Sequence, residues 1–455
     1  MNKIYRGLLK VVLFAVAALG LSSKAQPAAP SDAEIKQRLS RFVGDKKKPP
    51  GVAVGLIDAK GVRVFVDGKT DAKDGKPVDG DTIFEIGSIS KTFTAIVLQD
   101  MVDHKELALD DPIGKFLPAS VKTPSRNGKQ ITLLDLATQS SGLPRLPDNM
   151  TMLTRVSSNP YADYGPKQLY EFLSGYQLKR DIGSKYEYSN IGFGLLGHVL
   201  ELKAKTNYEG LLIDRICRPL KMENTRITLS EKMKERLALG HDAAGLVTSN
   251  WDFQVIAGAG AIRSSVNDML KFLAASMGAT NTPLNATIAR AEEPRRDAGG
   301  LGRRIGLAWH INSDGVIWHN GGTGGYRSFL GFSKTAGRGV VVLANSASAN
   351  ADALGAEIIG PTQSHSPVKV DPATYDQYVG KYKLAPQAVF TITRDGDSLY
   401  AQLTGQDRFE VFPEAENAFF YKIVDAQLTF HKNGAGKIDH LILHQNGVDQ
   451  KAPKE

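Results

Sequence analysis

Strand-like segments fall into two separated groups, and that separation constrains the fold of this chain more than any other feature. Residues 51–58 and 62–66 read as two strands joined by the turn Ala59-Lys60-Gly61, an N-terminal hairpin. No comparable pattern returns until residues 306–310, 316–319, 328–332 and 339–344. Between the two groups, apolar residues recur at helical spacing. Phe93, Ile96, Val97, Met101 and Val102 do so after Ser88, and residues 133–138, 191–202 and 266–275 form the clearest helices. Strands at both ends of a helical middle predict an α+β fold, with a central antiparallel sheet packed by helices and a helical subdomain.

The pattern changes after residues 360–373, a stretch rich in Pro, Ser and Thr that reads as a linker. Six short, evenly spaced strands follow at 389–393, 398–403, 409–412, 418–421, 427–430 and 440–443, and they predict a small all-β barrel or curled sheet over 374–455. The large unit is expected to span 26–359, because residues 1–25 read as a signal peptide. Lys3, Arg6 and Lys10 precede the uncharged run 11–21, and Ser23-Lys24-Ala25 offers a cleavage site before Gln26. An uncleaved anchor is the alternative, but the apolar run is too short for a permanent bilayer span. No Cys follows the site, which argues against a lipoprotein. A periplasmic or secreted protein is expected.

A composition of 42% hydrophobic and 23% charged residues suits a soluble globular protein with a sizeable core. The formal charge of +8 falls to +4 once Lys3, Arg6, Lys10 and Lys24 leave with the signal peptide. Lys46-Lys47-Lys48 is the densest basic run left, so a nucleic-acid partner has no support. The one cysteine, Cys217, excludes an intramolecular disulfide, and its apolar neighbours predict a buried structural thiol. The sequence does not determine oligomeric state.

Three short motifs carry chemistry. In Ser88-Ile89-Ser90-Lys91, Gly87 permits a tight strand-to-helix approach, and a serine at the helix start sits in the positive end of its dipole. Lys91, three residues on, shares its helical face. A partly desolvated lysine there loses its proton below its ordinary value of roughly 10.4 and can activate the serine. A helix cap followed by a surface lysine also meets this pattern. A second copy, Ser366-Pro367-Val368-Lys369, lies in the linker, where Pro367 and Pro372 leave no room for a supporting helix.

In Tyr188-Ser189-Asn190, Asn190 can cap the helix that follows. The functional reading instead faces both side chains to the Ser88/Lys91 pair, Tyr188 carrying a proton between serine and leaving group and Asn190 bonding substrate and lysine. The third motif, His319-Asn320-Gly321, ends a strand in a glycine-rich run where a substrate backbone can lie against the edge. His319 is either an ordinary strand histidine or part of the site. No Gly-Lys-Ser/Thr or G-x-G-x-x-G makes the run a phosphate loop. No Gly-x-Ser-x-Gly elbow and no His-Glu-x-x-His zinc site occurs, so no metal or other cofactor is expected.

Residues 84–94 resemble the nucleophile region of class C β-lactamases and of their relatives, the serine D-Ala-D-Ala peptidases and β-lactamase-like esterases. Residues 131–138 with 141–144, Tyr188-Ser189-Asn190, 259–264, the third motif and 343–345 are also similar. The resemblance covers about residues 36–350. It implies a β-lactamase/transpeptidase-like fold and Ser88 as nucleophile, with Lys91 and Tyr188 as its proton partners. It further implies oxyanion donors in the backbone N–H groups of Ser88 and Gly322, and Asn345 as a ligand for the substrate carboxylate. The C-terminal part resembles the lipocalin-like domain appended to some of these hydrolases. One departure matters: class C enzymes usually carry Lys-Thr-Gly at the third motif, where this chain has His-Asn-Gly. A histidine holds a carboxylate less firmly than lysine does.

These readings converge on an exported serine hydrolase that forms an acyl-enzyme. A β-lactam is the first-choice substrate, and a D-amino-acid peptide or small ester of the same family's chemistry is the alternative. A catalytically silent cell-wall-binding protein is the reading from another class.

Overall fold

The computed structural model of the chain describes residues 29–43, 49–150, 158–299, 302–360, 367–421, 426–445 and 448–455. The expected signal peptide, the run Lys46-Lys47-Lys48 and residues 361–366 of the linker lie outside these.

The first unit is built on one eight-stranded antiparallel sheet. Its strands are β1 Gly51–Asp58, β2 Gly61–Gly68, β3 Arg296–Asp297, β4 Arg304–Ile305, β5 His310–Ile311, β6 Ile317–Gly322, β7 Arg327–Ser333 and β8 Arg338–Ala344, in the order β2-β1-β8-β7-β6-β5-β4-β3. The N-terminal hairpin therefore pairs with the last strand of the unit, Val52 opposite Ala344 through Ile57 opposite Gly339. Alternation along β1 divides its side chains between two cores. Ala53 and Ile57 join the cluster that holds the helical middle, while Val52, Val54 and Leu56 join a second cluster with Ile35, Leu39, Leu354 and Ile358. The last four residues come from α1 Asp32–Phe42 and from a helix at Ala351–Ile359, so both sheet faces are covered. One expected strand is absent. Residues 306–309 bend between β4 and β5, where Ala308 takes φ +67°. The apolar run there packs as a loop, with Leu307, Ala308 and Trp309 buried.

The helical middle holds α2 Ser90–Asp103, α3 Asn190–Ala204 and α4 Val266–Ser276. Every residue of α2 from Ser90 to Met101 is buried, including Thr92, Thr94, Gln99 and Asp100. Thr92 and Thr94 satisfy their hydroxyls on the Ile89, Ser90 and Gly258 carbonyls. Spacing alone suggested one apolar face, but the helix is the centre of the domain.

The second unit is an eight-stranded antiparallel meander, from β9 Gly380–Ala385 through β10 Ala388–Asp395, β11 Ser398–Leu403, β12 Phe409–Ala415, β13 Ala418–Tyr421, β14 Ala426–Lys432 and β15 Ile438–Gln445 to β16 Val448–Pro453. A bridge between Tyr382 and Lys454 brings the two ends together, so the sheet is nearly closed. It encloses its own core of Tyr378, Tyr382, Phe390, Phe419, Phe430 and Leu441.

Candidate active site

Ser88 occupies a single 3-10 turn, Gly87–Ile89, and the α-helix proper starts at Ser90. The chain reaches this turn from the short strand Ile83–Glu85, which pairs with Arg263–Ser265, and Ile86 N donates to the Ile262 carbonyl at 3.0 Å. The turn then meets β6 backbone to backbone. Gly87 has φ +49°, and a Cβ there would lie 2.7 Å from Gly322 N. A Cβ on Gly321 would lie 2.0 Å from the Ile86 carbonyl oxygen, which already accepts from Ser328 Oγ at 2.8 Å. Beyond Trp318, which pairs with His310, no partner strand among the described residues follows β6 on its β5 side. The edge of His319 to Gly322 on that side is bare backbone.

Lys91 is fully buried, and its Nζ has three polar neighbours: Ser88 Oγ at 2.9 Å, Asn190 Oδ1 at 3.0 Å and the Ala259 carbonyl at 2.6 Å. Burial pushes its pKa well below the ordinary value, and the Arg145 guanidinium pushes it further. The three neighbours accept all three protons of an ammonium; in the amine form, which burial favours, two N–H groups keep the carbonyl oxygens and the lone pair faces the serine hydroxyl. Ser88 is thereby set to give its proton to Lys91.

Tyr188 precedes α3, whose cap is Ser189. Ser189 Oγ accepts from Gly192 N at 2.9 Å and donates to the Pro144 carbonyl at 2.6 Å. Asn190 is the first helical residue rather than the cap, which leaves its side chain for Lys91. Burial raises the Tyr188 phenol to about 12, and interaction with the Ser88 hydroxyl offsets part of the rise. The phenol is therefore protonated at neutral pH, able to donate to a departing atom and accept from Ser88. Lys91 Nζ lies 5.0 Å from the centroid of its ring.

His319 lies beside this group, its ring centroid 6.3 Å from that of Tyr188 and 5.1 Å from that of His310. It is buried, and its Nδ1 is 2.6 Å from the Asn320 carbonyl, to which it donates. Burial, His310 and Lys91 all press its pKa well below the ordinary value. Among the residues expected to bind substrate, His319, Gly321 and Gly322 stand with Ser88, while Asn345 does not belong there. Asn345 is completely buried; its Oδ1 accepts from Gly51 N at 2.9 Å, and its Nδ2 donates to the Thr70 and Leu239 carbonyls at 3.1 Å each. Its amide is consumed in stapling β1 to the loops around it, so it cannot ligate a carboxylate.

Ser88, Asn190 and Gly322 line a small cleft together with Tyr161, Trp251 and Phe253. These aromatics form one wall: Tyr161 stacks on Phe253 at 4.8 Å and meets Trp251 edge-on at 5.2 Å. Glu85 holds Trp251 in place by accepting from its backbone N–H at 2.9 Å. The wall has no motif of its own; an isolated Trp in a loop was the one available signal for it. The Ala259 carbonyl lies in the segment 259–264 that resembles the family, but nothing in the sequence marks it as the lysine's acceptor.

Residues 35–359 match the profile of the beta-lactamase family. The chain belongs to that family. It is 28% identical over 287 residues to a beta-lactamase of Yersinia enterocolitica, covering 61% of this chain and 70% of the relative. It is 27% identical over 358 residues to the D-alanyl-D-alanine-carboxypeptidase/endopeptidase AmpH of Escherichia coli K12, covering 74% of this chain and 91% of the relative. The structure of a class C beta lactamase from Rhodobacter sphaeroides shares the fold, with TM-score 0.60 at 23% identity over 70% of this chain and 96% of that one. Residues 364–452 match a domain family of unknown function, so the barrel is an additional domain. Among the described residues no helix is long and apolar enough to cross a membrane, and no group of three or more His, Cys, Asp or Glu could hold a metal ion.

Proposed function

We propose that this member of the beta-lactamase family is an exported serine hydrolase working through an acyl-enzyme on Ser88, with β-lactams as its first substrate class. The observation that carries the reading is the contact set of Lys91, a fully buried amine with its pKa pushed well down and its Nζ 2.9 Å from the serine hydroxyl. In the proposed cycle Ser88 passes its proton to Lys91 as Oγ attacks the acyl carbonyl. The backbone N–H groups of Ser88 and Gly322 are the oxyanion donors that the family resemblance suggests. Tyr188 delivers a proton to the leaving group and recovers the one held by Lys91; in deacylation the attacking water gives a proton to the same pair, and Ser88 takes one back as the acyl group leaves. A silent cell-wall-binding protein would need no buried base, which argues against that reading.

A second reading has an observation of its own. His319 is neutral where class C enzymes carry a lysine, which favours a D-alanyl-D-alanine carboxypeptidase or an esterase over an efficient β-lactamase. Mass spectrometry after brief exposure to a penicillin or a fluorophosphonate should find the adduct on the peptide holding Ser88. Unchanged labelling and turnover in Ser88→Ala would end the hydrolase reading. A chromogenic cephalosporin, a D-Ala-D-Ala peptide and a short-chain ester assayed side by side would rank the substrates. Export predicts a mature N-terminus at Gln26, read by N-terminal sequencing of the secreted or periplasmic fraction.

A further inference from the structure

The site described so far lacks a positive charge exposed to substrate. Lys91 is fully buried with its pKa pushed well down, and His319, also buried and pushed down, has Nδ1 committed to the Asn320 carbonyl. Arg327, at the far end of the glycine run, donates to the Thr323 and Tyr326 carbonyls. Arg145 is different. It is exposed, and among the described residues it makes no ion pair and its side chain makes no hydrogen bond. Its guanidinium carbon lies 5.1 Å from the centroid of the Tyr188 ring. Lys91 Nζ lies 5.0 Å from the same centroid, so the two groups are at most about 10 Å apart.

The backbone of Arg145 is fixed with respect to the reacting groups. Its carbonyl accepts from Asn190 N at 3.0 Å and from Ile191 N at 3.4 Å, and the neighbouring Pro144 carbonyl accepts from Ser189 Oγ at 2.6 Å. The loop carrying Arg145 is thus tied to the helix start that presents Asn190 to Lys91. The field of the guanidinium reaches Lys91, Tyr161, Tyr186 and Tyr188, all in or beside the cleft. A guanidinium held over an aromatic ring, with no hydrogen bond of its own, keeps its planar fork of donors free, and that fork matches a carboxylate at two points.

We propose that Arg145 is the anchor for an anionic group of the acyl donor, and that the site takes substrates whose carboxylate lies within one or two residue lengths of the scissile carbonyl. A dipeptide unit spans roughly 7 Å, which fits that separation. The inference rests on the hydrolase reading and deepens it: β-lactams and peptides ending in a free carboxylate fit, and neutral esters lose the anchor.

The test measures binding without turnover. In the Ser88→Ala background, benzylpenicillin and its methyl ester are titrated by calorimetry against the full chain with Arg145, Arg145→Ala or Arg145→Lys. The carboxylate form should bind roughly 10- to 100-fold more tightly than the ester when Arg145 is present. Arg145→Ala should erase the preference and Arg145→Lys should keep part of it. A preference that survives Arg145→Ala, or one absent from the start, overturns the anchor, as does a failure to bind either ligand. Fluorophosphonate labelling of Ser88 in the otherwise unaltered chain is scored separately. Labelling without an Arg145-dependent preference sinks the anchor alone, and loss of labelling sinks the hydrolase reading.

Discussion

Lys91 is among the largest fully buried side chains of the molecule, which changes what its removal measures. Lys91→Ala is therefore not a purely chemical change. The structure shows that it would leave a cavity and two carbonyl oxygens without their donor, so folding and chemistry would fail together. Tyr188→Phe separates them, since it removes one oxygen and keeps the ring. It should lower kcat by roughly 10²-fold or more with an unchanged thermal midpoint, as loss of a positioned acid predicts. Near-normal kinetics in Tyr188→Phe would show that another group carries the proton. His310 and His319 give the pH behaviour. Burial holds His310 down to about 4 and His319 well below its ordinary value. Both are neutral in the folded state, so activity on carboxylate-bearing and neutral substrates should follow parallel profiles through pH ~6.5. As pH falls below that value the unfolded chain takes up protons that the folded chain refuses. Stability present above pH ~6.5 is therefore lost on acidification towards 4, roughly 3 kcal/mol for His310 alone. Denaturant titrations at successive pH values would show the loss, and a flat profile would mean that the imidazoles are charged or exposed. Ser88, Lys91 and Tyr188 were legible because each sits in a short motif at a recognisable element boundary. Asn345 misled because a motif does not show which neighbours already hold an amide.

At the scale of elements, the sequence located each piece of the site but not its fine geometry. It put Ser88 at a helix start, whereas the structure inserts a 3-10 turn, and it allowed Asn190 as a cap where Ser189 performs that task. Both differences amount to a residue or two, which spacing cannot resolve. Residues 306–309 were misread because a short apolar run suits a buried loop as well as a strand, and only the positive φ of Ala308 decides it. The contact between the nucleophile turn and β6 was invisible, since it involves backbone from residues far apart in the chain. It can be tested at Gly321. An added methyl would meet the Ile86 carbonyl at 2.0 Å and Ser328 Oγ at 2.3 Å, so the turn must move. Gly321→Ala should reduce labelling of Ser88 at least ~100-fold, because even an ångström of misplacement is costly to catalysis. Labelling at the normal rate in a folded variant would mean that the turn and strand are not held as described.

Across the whole molecule, the apolar clusters divide between the two units, those of the first unit holding no barrel residue and the barrel's holding none of the first, among the described residues. The barrel was legible from its even spacing, but its first and last strands were not. Residues 380–385 and 448–453 lack a strong pattern of their own; they become strands by pairing along their length with 388–392 and 440–445, and the bridge between Tyr382 and Lys454 then joins the two ends. Cys217, the one cysteine of the chain, lies in the helical half, buried, with its thiol pushed up to about 12. The barrel has no cysteine at all. The molecule thus carries a clock for one of its halves: a thiol reagent in excess should mark a chain only when the catalytic half opens, and an unfolding event confined to the barrel should pass unmarked. One label per chain, counted over time by intact mass, would read the opening rate of that half without any probe being added to the protein.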